Sequence, residues 1–181
     1  MTQEQFIEIK EDYIQNMKDM LLETGNIQPM VTVIGDHLEE NKPALVHIPL
    51  PGKIANSDHG KQMFVDEMIP EISKEIRKKF EIKAIAWASE AWMREGLKEN
   101  YDPIVDDYKK LPIKKEILII SVDTGVETEN FVYEIIRMAV SPEGDLVETI
   151  ELVELPELSK KFDENSGRFG NLYTKFTKSI N

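Results

Sequence analysis

The sequence contains no cysteine. That absence removes disulfides, thiolate zinc sites, iron–sulfur clusters and cysteine nucleophiles in one step, and it fits a reducing compartment. No segment approaches the roughly 18 consecutive apolar residues that a membrane-spanning helix requires, and the first residues lack the basic stretch and unbroken apolar run of an export signal. Positive charge is scarce. With 22 Lys and Arg against 34 Asp and Glu the formal net charge is −12, a sign that repels phosphate backbones and argues against a general nucleic-acid binder. Gly/Ser-rich and Pro-rich linkers are missing too, and no internal repeat divides the chain. Together these absences predict a soluble, cytoplasmic protein with no cofactor and neither nucleic acid nor membrane as partner.

What is present is ordinary globular material: 181 residues, 41% of them apolar and 31% charged. A chain of this length buries enough surface to fold without a staple. Acid is densest from Glu143 to Glu164, whereas the last residues hold Arg168, Lys175 and Lys178 and no acid. The expected organisation is one α+β domain over residues 1–165, followed by a basic aromatic tail over 166–181.

Thr2 and Gln5 have capping-box spacing, and Phe6, Ile9, Tyr13, Met17 and Met20 recur at helical intervals up to Gly25, which predicts an amphipathic first helix. Met30–Ile34 and Ala44–Leu50 predict a hairpin with a long polar loop, in which Pro49 and Pro51 end the second strand. Phe64, Met68, Ile72, Ile76 and Phe80 predict a second helix, kinked or broken at Pro70. Strands follow at Ile82–Ser89, Glu116–Asp123, Asn130–Val140 and Leu146–Glu154. The polar stretch from Arg94 to Lys115 is a long connection, and the turn Ser141–Asp145 marks an antiparallel meander.

Ile117–Val122 is apolar on both faces. Two helices on one face leave the other to the stripe Phe169, Leu172, Tyr173, Phe176 and Ile180, a candidate tail helix, or to a second copy of the chain. The expected fold is therefore a two-layer α+β sandwich: a mostly antiparallel sheet of about five to six strands with helices packed on it, in the order α-β-β-α-β-β-β with the tail helix last. That order resembles the profilin-like and roadblock-like arrangement, a likeness of layout that carries no function.

Few residues invite a chemical role. His37 and His59 each follow an aspartate, Asp36 and Asp58, and His47 lies inside a strand. With Asp36, Asp58 or Glu90 they would make a ligand set suited to zinc, manganese or iron. Their spacing argues against it, because no H-E-x-x-H, H-x-H or i,i+4 pair aims two imidazoles at one point. Asp58 reads more simply as a helix N-cap and His37 as a loop residue. Ser121 and Ser57 lie outside any nucleophile elbow, and the glycines lack phosphate-loop spacing.

Trp87-Ala88-Ser89-Glu90-Ala91-Trp92-Met93 is the most informative stretch. It holds both tryptophans, and Glu90 ends an otherwise apolar strand where an ionised carboxylate must find partners or shift its pKa. Glu90 is then either a general base or ligand anchor beside an aromatic wall, or one half of an ion pair with Lys or Arg while the tryptophans pack in the core. The binding candidates are Trp87, Glu90 and Trp92, with Arg168 and Phe169 of the tail.

Ser89-Glu90-Ala91-Trp92-Met93, the loop ending in Lys115-Glu116-Ile117-Leu118, and Gly167-Arg168-Phe169-Gly170-Asn171-Leu172 resemble an uncharacterised family of small bacterial and phage proteins. The resemblance implies a bacterial or viral cytosolic origin and transfers no catalytic residue. The functional expectation is a non-enzymatic domain that binds a protein partner or itself, as an accessory factor of a phage or mobile element. The alternative is a small-molecule or nucleotide hydrolase using Glu90 with the Asp-His pairs.

Overall fold

The computed structural model describes residues 1–55, 58–94, 113–140, 147–159, 161–162 and 172–177. It is an α+β structure built on one antiparallel sheet. Helix α1 spans Gln3–Thr24 and starts at the predicted capping box: Thr2 Oγ1 accepts from the Gln5 N–H at 3.2 Å, and Gln5 Oε1 accepts from the Thr2 N–H at 2.8 Å. Its buried stripe is Tyr13, Ile14, Met17 and Leu21, close to the one the spacing predicts.

Strands β1 (Met30–His37) and β2 (Lys42–Pro49) form the hairpin. The predicted long loop shrinks to the four residues between them, and Gly35, Asp36 and His37 pair with Ala44, Pro43 and Lys42. On its other side Gly35 permits the close approach of the strand that starts at Phe80, since a Cβ there would run into the carbonyl oxygen of Glu81. Asp36 and His37 are therefore strand residues, not loop residues.

After β2 the chain forms a short helix α2 (Gly52–Ala55), helix α3 (Asp58–Met63), a π-helical turn (Phe64–Met68) and helix α4 (Ile69–Arg77). The irregularity predicted at Pro70 is this π turn. Proline lacks an N–H and crowds the carbonyl four residues back, and the wider turn, with the Ile69 N–H bonded to the Phe64 carbonyl, relieves both problems. Phe80 leaves the helix and opens the next strand.

Strand β3 (Phe80–Arg94) extends five residues beyond the predicted end, and β4 (Ile113–Asp123), β5 (Thr128–Val140) and β6 (Val147–Glu154) complete the meander. The second half thus holds one more long strand than the order α-β-β-α-β-β-β allows. The sheet order is β2-β1-β3-β4-β5-β6, and a two-residue strand β7 (Lys161–Phe162) pairs with the start of β5. Helix α5 (Leu172–Thr177) ends the described chain.

The helices cover both faces, so the two-layer expectation is corrected to three layers. Tyr13, Met17 and Leu21 of α1 pack with Ile34, Ala84, Ala86, Leu118 and Ile120 on one face. Phe64, Val65 and Ile69 pack with Val31, Val33, Ile85, Leu172 and Phe176 on the other. The chain must cross over β1 to pass from β2 to β3, and α1 already occupies one side of that strand, so the crossover takes the opposite side. The tail helix joins it there. Leu172 and Phe176 are fully buried, which makes α5 part of the domain core. Farther along this second face Ile117, Val132 and Leu155 form a small separate cluster, closed by the turn after β6, where Ser159 Oγ accepts from the Val132 N–H at 3.0 Å. No helix among the described residues is long and apolar enough to cross a membrane.

Candidate functional site

Glu90 lies on β3 on the same face as α1, one row beyond Ala88, and its neighbours come from three other parts of the chain. Arg137 of β5 reaches it at 3.1 Å and holds Glu116 of β4 with two parallel bonds of 2.9 Å each, from Nε and from an Nη. The other Nη donates to the Gly25 carbonyl at the end of α1 at 2.7 Å. The second Glu90 oxygen accepts from the Ile27 N–H. One guanidinium thus ties β3, β4 and β5 to the C-terminus of α1, where a cation also complements the helix dipole.

The electrostatics follow from this arrangement. Burial lifts the Glu90 carboxyl above the ordinary carboxylate value, the Ile27 N–H and the Arg137 charge oppose the lift, and nearby Glu116 adds to it. Glu116 is held below its ordinary value by the Arg137 hydrogen bonds. Two carboxylates sharing one cation divide unequally, and the better hydrogen-bonded one keeps the charge. Of the two expectations for Glu90, the geometry matches the ion pair: the partners are Arg137, Glu116 and Ile27, and none is a histidine.

The aromatic wall does not form. Trp87 and Trp92 are an odd number of positions apart on one strand, so they emerge on opposite faces. Trp87 packs against the cluster under α4, whereas Trp92 shares the Glu90 face and is 59% exposed.

The two histidines whose side chains are described lie apart. His37 stands edge-on to Phe80 with ring centroids 5.0 Å apart, and its Nδ1 accepts from the Glu40 N–H at 3.3 Å. His47, exposed on β2, lies 2.9 Å from the hydroxyl of buried Thr32. Because His37 pairs with Lys42, His47 is five positions along the hairpin, ~17 Å away at the usual strand rise. Asp36 is buried, and its Oδ2 accepts from the Met1 amino group at 2.7 Å while its Oδ1 has no partner. Asp58 starts α3, but its side chain and that of His59 are outside the described residues, as are Arg168 and Phe169. Among the described residues no three His, Asp or Glu side chains gather as a metal site. Ser121 is buried and donates to Asn130, a structural bond.

A surface pocket of about 350 Å³, lined by Met1, Phe6, Lys83, Thr124, Val126 and Glu127 among others, opens elsewhere. None of the predicted site residues whose side chains are described lines it. What the residue pattern did not single out is Arg137, the hub of the cluster, although its position inside the apolar run Phe131–Val140 is the same signal that marked Glu90.

No protein-family model, curated protein or solved structure matches the chain.

Proposed function

We propose that this chain is a non-enzymatic, acidic binding domain of the bacterial or viral cytosol, an accessory factor of a phage or mobile element that recognises a protein partner through a surface centred on Trp92. One observation carries the proposal: Trp92 is 59% exposed on a β-strand, whereas tryptophan is among the most buried residues on average and the commonest anchor of protein interfaces. Beside it the groups best suited to chemistry are engaged with one another. Glu90 and Glu116 are held by Arg137, so among the described residues both carboxylates of this corner are engaged. The likeness to the profilin-like and roadblock-like arrangement rests on a helix, a hairpin, a second helical segment and a meander, and as an analogy of layout it adds no activity.

The test is a photoreactive amino acid in place of Trp92, introduced in the host cell, with the same group at exposed Glu11 as control. A discrete cross-linked protein from position 92 alone, whose binding to the purified chain is lost in Trp92→Ala, supports the proposal. The hydrolase reading would displace it if position 92 yields no discrete product while a screen of ester and phosphoester substrates shows turnover abolished by Glu90→Gln.

A further inference from the structure

The two edges of the sheet differ. On β2 the Leu50 N–H bonds to the Pro29 carbonyl, which sets the phase of pairing: even-numbered residues face β1, and Pro43, Leu45, His47 and Pro49 direct their backbone outward. Two of those four outward positions are prolines, which have no N–H to give. Such an edge resists the addition of another strand.

On β6 the Leu155 N–H bonds to the Val132 carbonyl, so odd-numbered residues face β5 and Glu148, Ile150, Leu152 and Glu154 direct their N–H and C=O groups outward. The strand Val147–Glu154 contains no proline. Among the described residues β7 pairs with β5, nothing covers this edge, and no hydrogen bond reaches it. Thr149, Glu151, Val153 and Glu154 are exposed. Among the described residues β6 is thus an open template, with outward donors and acceptors from four of its eight residues.

Charge decides what the template accepts. The strand VETIELVE carries three glutamates and no basic residue, and exposed Glu157 follows it. Pairing with a second copy would set glutamates against glutamates across the new ladder, on chains that each carry −12. A basic extended segment meets the opposite situation: Glu151 and Glu154 are three positions apart and emerge on opposite faces, so lysine or arginine on either face of the added strand stands beside one of them. We infer that the outer edge of β6 binds an extended, basic segment of a partner protein by strand addition, the backbone supplying the ladder and Glu151 and Glu154 selecting the charge. This rests on the binding-domain reading and adds the partner's chemistry, at a surface separate from Trp92.

The probe is a synthetic extended peptide of about ten residues with lysine on both of its faces and threonine or valine between, titrated against the whole chain by calorimetry, with amide exchange read by NMR. Micromolar binding is expected, with slowed exchange at Ile150, Leu152 and Glu154. N-methylation of alternate peptide residues, which removes ladder donors and keeps the charge, should weaken binding at least tenfold, and so should E151K/E154K. Affinity indifferent to N-methylation would reduce the effect to general attraction by an acidic chain and overturn the inference. Protection on β2, or no binding at millimolar peptide, would overturn it as well. The Trp92 cross-link is unaffected by these outcomes, so failure here leaves the binding-domain reading standing, and loss of that cross-link leaves the peptide result standing.

Discussion

Replacing Arg137 with methionine keeps the aliphatic stem and deletes the charge. The variant loses two bonds to Glu116, one to Glu90 and one to the Gly25 carbonyl, and leaves two neighbouring carboxylates without their cation. Removing one partner from a buried charged network costs about 3–5 kcal/mol. Here the side chains of Arg137, Glu90 and Glu116 are 26%, 22% and 13% exposed, so water recovers part of that and about 2–4 kcal/mol is expected at pH 7. For a domain of this size that is a fall in Tm of roughly 5–15 °C.

The pH dependence is the sharper part. In the wild type, the lowered Glu116 value gives stability that is present above the ordinary value of 4.5 and lost as pH falls through the lowered one. The raised Glu90 value acts oppositely: the folded state holds the extra proton, so stability declines as pH rises through that raised value. Without Arg137 both carboxyls lose the charge that favours ionisation, one retains a proton to higher pH, and the cost of the substitution shrinks between pH 7 and pH 5. Urea unfolding of wild type, Arg137→Met, Glu90→Gln and the double variant at both pH values measures this, and Glu90→Gln should recover a substantial part of the loss in the Arg137→Met background. A cost under about 0.5 kcal/mol at pH 7, or one that does not change with pH, would refute the role assigned to the cluster.

Gly125→Ala should cost about 1–3 kcal/mol, because φ is +81° there and a Cβ would come within 2.3 Å of the Tyr173 ring; thermal melting measures the loss, and amide exchange should show α5 loosening first. Phe176→Ala, emptying a fully buried site between α5 and the sheet, should cost about 3–5 kcal/mol by urea unfolding without changing the mass seen by light scattering. A strong chelator should leave the melting midpoint unchanged, since the core is apolar and the described residues form no ligand cluster; a drop of several degrees would reopen the histidine site.

Elements whose evidence is local were legible in the residues. Helix α1 was readable from end to end because a capping box, a stripe and a glycine stop are neighbours in sequence. Pro70 announced its irregularity, since proline acts on its own turn. The reach of β3 through Trp92 was not readable, because a strand continues as far as its neighbour pairs with it, and that neighbour, Glu116 to Asp123, is distant in the chain. The same holds for Asp36 and His37, drawn into β1 by partners on two flanking strands.

Residue type alone determined that Glu90, a carboxylate in an apolar strand, had to be answered by something. Tertiary structure decided by what. Arg137 is 47 residues away and Gly25 lies at the end of a helix, and only the registers of β3, β4 and β5, which set Glu90, Glu116 and Arg137 on successive rows of the face that α1 covers, bring these groups together. The two tryptophans were visible as a pair in sequence, yet the two-residue period of the strand sent them to opposite faces, Trp87 half-buried against the cluster under α4 and Trp92 exposed. Which helix covers which face was likewise settled by the path of the chain, for an apolar stripe on α1, α4 or α5 says that the helix is covered and not which face of the sheet covers it.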